Sequence, residues 1–317
     1  MTTPDTVSPA RSKPKLRPGD RIFSGSALTA GTLILAILAG VAGFLMIESV
    51  PALTTDPDDI HILDGEPFWS YVAPLIFGTL WSATLALIMA VPVAVGIALF
   101  ISHYAPRRLA QTLGYIVDLL AAVPSVVFGL WGGNVLAPAV QPAYTWLTEN
   151  MGWFPLFAPP ASGTGRTILT AAVVLAVMIL PIITALCREV FLQTPVLHEE
   201  AALALGATRW EMIRTAVLPF GRPGIVSASM LGLGRALGET MAVAMVLSAS
   251  GGITFAVLTP SNPGTIAANI ALRFPEAFGE NINLLIATGL ILFAITLVVN
   301  MVARWIIGRR KEFSGAN

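Results

Sequence analysis

Arg235 and Glu239 stand four residues apart inside an otherwise apolar run, residues 225–248. On a helix that spacing puts both side chains on one face, about a turn apart. If the run crosses a bilayer, each charge costs about 2.5–3.5 kcal/mol even on the lenient insertion scale, so both must face protein or a water-filled path. Gly234 and Gly238 form a small-xxx-small pair that admits a neighbouring helix. Two readings follow. One is an internal ion pair that locks the helices together. The other is a translocation site, where the permanently charged planar fork of Arg235 receives a tetrahedral oxyanion and Glu239 neutralises it while the path is empty.

A second constellation is polar and lies just before that run. Thr194-Pro195-Val196-Leu197-His198-Glu199-Glu200-Ala201-Ala202-Leu203-Ala204-Leu205-Gly206 continues through Thr208-Arg209-Trp210-Glu211 to Leu218-Pro219. Pro195 suits a first helical position, the Ala- and Leu-rich stretch propagates a helix, and Gly206 can end it in the left-handed conformation. Thr208 with Glu211 three residues on is a capping-box pattern that restarts a helix. Trp210, Ile213 and Val217 fall on one face of the second helix, which Pro219 and Pro223 are expected to end. A helix–Gly–helix of this kind suits either docking onto another protein or lying as an amphipathic linker on lipid.

Other chemistry is missing from the sequence. There is no G-x-x-x-x-G-K-[ST] phosphate loop; the nearest glycine-rich stretch, Ser162-Gly163-Thr164-Gly165-Arg166-Thr167, lacks the lysine and reads as a turn capping a helix, or as a backbone nest for an anion. A single cysteine, Cys187, rules out an internal disulfide, and no Cys/His cluster has metal-ligand spacing. A net charge of zero argues against nucleic acid.

The elements that must position these residues follow from composition. The chain is 55% hydrophobic and only 11% charged, with a mean hydropathy of +0.78; a soluble domain carries about 25% charged residues, so lipid must cover much of this surface. Six runs are long enough for spanning helices: 26–47, 75–101, 113–136, 168–187, 225–248 and 284–307. Every Lys and Arg except Arg166, Arg273 and the intramembrane Arg235 then falls on one side, which the positive-inside rule makes cytoplasmic, with both termini. Residues 48–66 carry six acids and no Lys or Arg, as an external loop would. Residues 137–165, rich in Pro, Trp and Gly, read as an ordered external loop. A polar arm ahead of the first run does not fit a cleaved secretory signal. The organisation expected is an arm (1–25), a permease-like membrane domain (26–307) with a cytoplasmic loop (188–224), and a tail (308–317).

Glu200-Ala201-Ala202, Gly206 and Leu218-Pro219 resemble the EAA loop of binding-protein-dependent ABC importer permeases, although Ala216 stands where that pattern favours Ile. The segment from Gly234 to Val243 is similar to the fifth-span signature of the phosphate-specific (Pst) importer permeases. Val123-Pro124-Ser125-Val126-Val127-Phe128-Gly129-Leu130-Trp131-Gly132 is similar to their third-span stretch. Met241-Ala242-Val243 and Gly19-Asp20-Arg21-Ile22-Phe23 look more like the C type than the A type. The resemblance implies an all-α integral membrane protein with six spans and the type I ABC importer (MetI-like) fold. It implies a non-catalytic permease of a phosphate importer, whose loop at Glu200, Ala201, Ala202, Gly206, Leu218 and Pro219 couples to an ATPase and whose Arg235 and Glu239 lie on the substrate path. Partners implied are an A-type permease, two ATPase subunits that hold ATP and Mg, and an external phosphate-binding protein. No cofactor is expected in this chain.

In span three, Pro124 and the glycines at 129, 132 and 133 either break the helix and open backbone groups to a cavity or let helices pack closely. Asp118 is expected to be solvated or paired near the membrane face. Competing functions are a permease for sulfate or molybdate, an ion-coupled anion transporter, an intramembrane enzyme and a membrane scaffold. The ion-coupled reading wants inverted repeats, which the sequence lacks; the enzyme wants a nucleophile–base or metal set at membrane depth.

Overall fold

A computed structural model describes residues 18–250 and 252–310. Of the basic residues used above to orient the chain, Arg11, Lys13, Lys15, Arg17 and Lys311 lie outside the described residues, as do most of the arm and tail. Residues up to Ile47 form one compact unit and those from Glu48 onward a second. The first contains the N-terminal part of α1 (Pro18–Thr54), whose apolar run is long enough to cross a membrane.

The rest is helical: α2 (Phe68–Leu99), α3 (Arg107–Ala121), α4 (Ser125–Trp131), α5 (Ala137–Met151), α6 (Ile168–Leu192), α7 (Val196–Ala204), α8 (Arg209–Met212), α9 (Leu218–Leu237), α10 (Met241–Val246), α11 (Ile266–Arg273) and α12 (Glu280–Arg310). Among the described residues, five continuous helical runs could each span a membrane, and a sixth span arises if the bent pair Arg107–Ala121 and Ser125–Met151 is taken together.

The third predicted span is therefore not one straight helix. Its two limbs meet at 88°. Pro124, without an N–H and with an extended ψ of 138°, ends α3 and begins α4. The second limb also runs further than expected, through a π-helical turn at Gly132–Leu136 into α5. Much of the stretch read as an external loop, 137–165, is thus helix.

Prolines mislead the reading for one recurring reason. Three π-helical turns, Phe100–Tyr104, Gly132–Leu136 and Ile213–Val217, each close with an N–H bonded five residues back: Ala105 to Phe100, Ala137 to Gly132, Leu218 to Ile213. A proline follows in each case, at Pro106, Pro138 and Pro219. The widened turn moves the carbonyl that the proline ring would strike, and the missing N–H costs little where the ladder changes register. At Pro106 the helix ends; at Pro138 and Pro219 it continues. Pro219 and Pro223 therefore lie within α9 and do not end a helix as predicted.

The core packs α2, α6 and α9 together. Ala83, Ala86, Ala90, Ala94 and Ala98 form a buried stripe on α2, and small residues at such a seam let two backbones approach. On α9 the close approach is made by Gly221, Gly224 and Gly232, where a Cβ would meet Phe191, Val190 and Ile183 of α6. The predicted pair, Gly234 and Gly238, does not serve this purpose: a Cβ on Gly234 would meet nothing within 4 Å. A smaller core joins Ile60, Leu63, Phe68 and Val72 to Leu284 and Ala287. Asn281 there accepts from the Ile62 N–H at 3.0 Å.

Candidate functional site

The fifth span breaks between the two residues singled out in the sequence. α9 ends at Leu237, Gly238 follows as its cap, and α10 starts at Met241. Arg235 and Glu239 are thus not on one helical face. Among the described residues no ion pair joins them. Glu239, only 8% exposed, instead accepts a hydrogen bond from the Ala242 N–H at 3.1 Å. It satisfies one of the orphan donors at the start of α10, and a carboxylate there also faces the positive end of the helix.

Arg235 points elsewhere. It lines a cavity of about 550 Å³ between α6, α9 and α12 together with Ser227, Asn300 and Arg304. No Asp or Glu is among the described residues lining it. Two guanidinium groups and an amide form a donor-rich, positively charged wall suited to an oxyanion, while the Ser227 hydroxyl donates to the Pro223 carbonyl at 2.9 Å. Arg304 was counted in the sequence only as a topological marker. Its i, i+4 relation to Asn300 was the available signal.

The third- and fifth-span motifs meet at this break. A Cβ added to Gly129 would lie 2.8 Å from the Ala242 Cα, and one on Gly133 2.8 Å from the Met245 carbonyl oxygen. A Cβ on Gly132 would meet Val174 and Val246 at 2.5 and 2.8 Å. The helix breaks at Pro124, and its glycines then seat α4 and the following turn directly on α10, as the close-packing reading expected. Asp118, on α3, is exposed.

In the loop between the fourth and fifth spans the Gly206 turn and the capping box form as read, while Pro195 stands as the N-cap of α7 and not at its first helical position. Gly206 takes φ +85°. The Ala207 N–H reaches the Ala202 carbonyl and the Gly206 N–H that of Leu203, which together close a Schellman cap. The capping box is complete: Thr208 Oγ1 accepts from the Glu211 N–H, and the Thr208 N–H donates to Glu211 Oε2 at 2.7 Å. With the Thr208 hydroxyl also donating at 2.7 Å, the exposed Glu211 carboxyl titrates below the ordinary carboxylate range. It lies in the arginine-bearing stretch 209–222, ahead of the apolar part of the run.

Trp210 departs from the expected face. Ile213 and Val217 are fully buried while Trp210 is 57% exposed, so the buried face of this segment does not extend back to Trp210. Exposed Trp210, Leu197 and Leu205, the last at 90%, instead give the loop an apolar outer surface of the kind that marks a contact with another molecule. Between α7 and the π-helical turn runs a groove of about 460 Å³ lined by His198, Ala201, Ala202, Thr215, Ala216 and Pro219. The small alanines keep it open; Glu200 is exposed beside it. On the inner side, Glu199 Oε1 lies 3.3 Å from His103 Nε2 at the end of the second span, whose Nδ1 is 2.7 Å from Ser102 Oγ. That tie joins partners 96 residues apart and carries no sequence signal. The Ser162–Thr167 stretch is a turn: Gly165 takes φ +70° and Thr167 caps α6 by accepting from the Thr170 N–H.

A bent third span, a broken fifth span and a helix–Gly–helix loop between them define a permease-type membrane domain. The family described as binding-protein-dependent transport system inner membrane component matches residues 90–312, and the chain belongs to it. The chain is 44% identical to the protein named phosphate transport system permease protein PstC 2 of Mycobacterium tuberculosis, covering 97% of this chain and 98% of that one. It is 43% identical to PstC of Mycobacterium leprae, covering 92% and 94%, and 40% identical to PstC of Mesorhizobium japonicum, covering 94% and 92%. Among solved structures, a bacterial ABC transporter involved in alginate import shares the fold at a TM-score of 0.59 and 17% identity, covering 91% of this chain and 99% of that one. The MetNI methionine ABC transporter does so at 0.51 and 20%, covering 75% and 93%. The protein is a multi-pass inner-membrane permease of an ABC transport complex.

Proposed function

We propose that the chain is the C-type permease subunit of an ATP-driven importer of inorganic phosphate, with both termini cytoplasmic. An A-type permease completes the membrane path, an external binding protein delivers phosphate, and two ATPase subunits bind ATP and Mg. The observation that carries the reading is the contact between the two Pst-like motifs. Gly129 and Gly133 seat on α10 beside the break that separates Glu239 from Arg235, and Arg235 lines a cavity with a second arginine and no acid among the described residues. The names borne by relatives at 40–44% identity support the same substrate.

In this reading the chain performs no covalent chemistry. Arg235 offers its fork to phosphate, with Arg304 facing the same cavity. Glu239 holds the first turn of α10, so the outer half of the fifth span keeps its place against span three. The loop at Glu200, Ala201, Ala202, Gly206, Leu218 and Pro219 rests on an ATPase subunit through its apolar outer surface. Motion imposed on α7 reaches span two through Glu199–His103 and span five through the continuous helix that follows α8.

Reconstitution with the partner subunits tests this. ATP-dependent accumulation of labelled phosphate in preference to sulfate is expected; equal or greater sulfate uptake would move the assignment to another oxyanion. Absence of any ATP dependence would remove the importer reading.

A further inference from the structure

A second cavity, of about 530 Å³, opens at the far end of the bundle from the loop just described. One wall is apolar and belongs to α10, through Val243 and Leu247; the other is polar, with Ser70, Tyr71, Ser250, Asn269 and Arg273. No Asp or Glu is among the described residues lining it. Three of the polar side chains fix one another. Asn269 Nδ2 donates to the Tyr71 hydroxyl oxygen at 2.6 Å. Arg273 Nε donates to Asn269 Oδ1 at 3.2 Å, and the guanidinium carbon stands 5.8 Å from the centre of the Tyr71 ring.

This arrangement uses the Arg273 Nε and one ring face, and leaves both terminal nitrogens without a partner among the described residues. The Tyr71 hydroxyl, already accepting from Asn269, keeps its own proton to donate. A pre-oriented guanidinium beside the Tyr71 hydroxyl, in a cavity that no described carboxylate lines, is the chemistry of an oxyanion site. Arg273 is also held against the charge bias of the chain, since nearly all other cations lie toward the opposite side.

We infer that this cavity is an outer acceptance site for phosphate, where Arg273, positioned by Tyr71 and Asn269, receives the anion before it passes α10 toward Arg235. The inference rests on the importer reading above. It gives the fifth span two anion cavities, one lined by α9 at Arg235 and one lined by α10, on either side of its break.

Ser250 is exposed in this cavity, so Ser250→Cys can report on it in the assembled importer. The native Cys187 is buried. An impermeant methanethiosulfonate is applied from outside, with inorganic phosphate or with chloride at matched ionic strength. Phosphate is expected to slow labelling about threefold at about twice its Kd, the factor given by 1 + [L]/Kd. Arg273→Gln is expected to remove that protection without changing the rate in chloride. Equal rates in phosphate and chloride, or full protection in Arg273→Gln, would overturn the site.

In parallel, Arg273→Gln should lower phosphate uptake about tenfold, the loss of roughly one charge-assisted hydrogen bond, while binding-protein-stimulated ATP hydrolysis persists. A matching fall in ATP hydrolysis would make Arg273 a docking contact and overturn the inference. Protection by phosphate in a Ser250→Cys importer that accumulates none would strike the importer reading and leave the site standing.

Discussion

Gly129 of the third span and Ala242 of the fifth approach so closely that a Cβ on the glycine would lie 2.8 Å from the alanine Cα. The nearest atom is backbone, so no rotamer change relieves the contact. Gly129→Ala should destabilise the permease by about 1–3 kcal/mol, the cost of overpacking. Gly234→Ala, which meets nothing within 4 Å, should be neutral or gain up to about 1 kcal/mol of helix propensity. Thermal melts of the two variants in nanodiscs check the contrast; equal melting temperatures would mean that α4 and α10 separate freely.

Gly206 is required by conformation and not by neighbours. Its φ of +85° suits glycine, and a Cβ there would meet nothing. Gly206→Ala should therefore fold and assemble while costing about 1–2 kcal/mol locally. The expected readout is faster amide exchange at Gly206 and Ala207, with less phosphate moved per ATP hydrolysed. Unchanged exchange would show that the Schellman cap adds nothing to the loop.

The capping box gives a pH dependence of definite sign. The Thr208 N–H and hydroxyl lower the Glu211 pKa. A carboxyl whose folded-state pKa lies below its unfolded value contributes stability above the unfolded value, and loses it as pH falls through the folded one. Amide protection at Glu211 should thus hold at neutral pH and decline only on acidification below the ordinary carboxylate range. Glu211→Gln should flatten that decline; a profile identical to the unsubstituted chain would assign it to another group.

How much of this was legible in the sequence depended on whether the deciding interaction was local. The capping box and the left-handed Gly206 lie within a few residues of one another, and both were read from spacing alone. The apolar runs that could span a membrane were equally plain. The break at Gly238 was not, because its compensation, a hydrogen bond from Ala242 to Glu239, appears only once the helix has ended. Pro219 misled because a π-helical turn over Ile213–Val217 lets the proline follow without ending the helix. Arg304, which lines a cavity with Arg235, comes from α12, and Tyr71, which completes the Arg273–Asn269 cluster, comes from α2; both lie far away in sequence, so spacing alone could not assemble either cavity.

The shared cavity of Arg235 and Arg304 carries the last prediction. If both guanidinium groups hold one oxyanion, replacing either removes the fork that the other relies on. Arg235→Lys keeps the charge and loses the planar donor pair, so phosphate uptake should fall about tenfold, and Arg304→Lys should do the same. Two substitutions acting on one ligand do not add independently. The double variant should therefore lose less than the product of the single losses, measured at fixed binding-protein and ATP concentrations. Glu239→Gln supplies the control: its amide oxygen can still accept from Ala242, so melting should be preserved, whereas Glu239→Ala should cost about 1 kcal/mol through the lost cap. Strictly multiplicative losses for the arginine pair would mean that the two residues face one cavity without sharing an anion. Arg304 would then be a topological charge and Arg235 alone the phosphate ligand of that cavity.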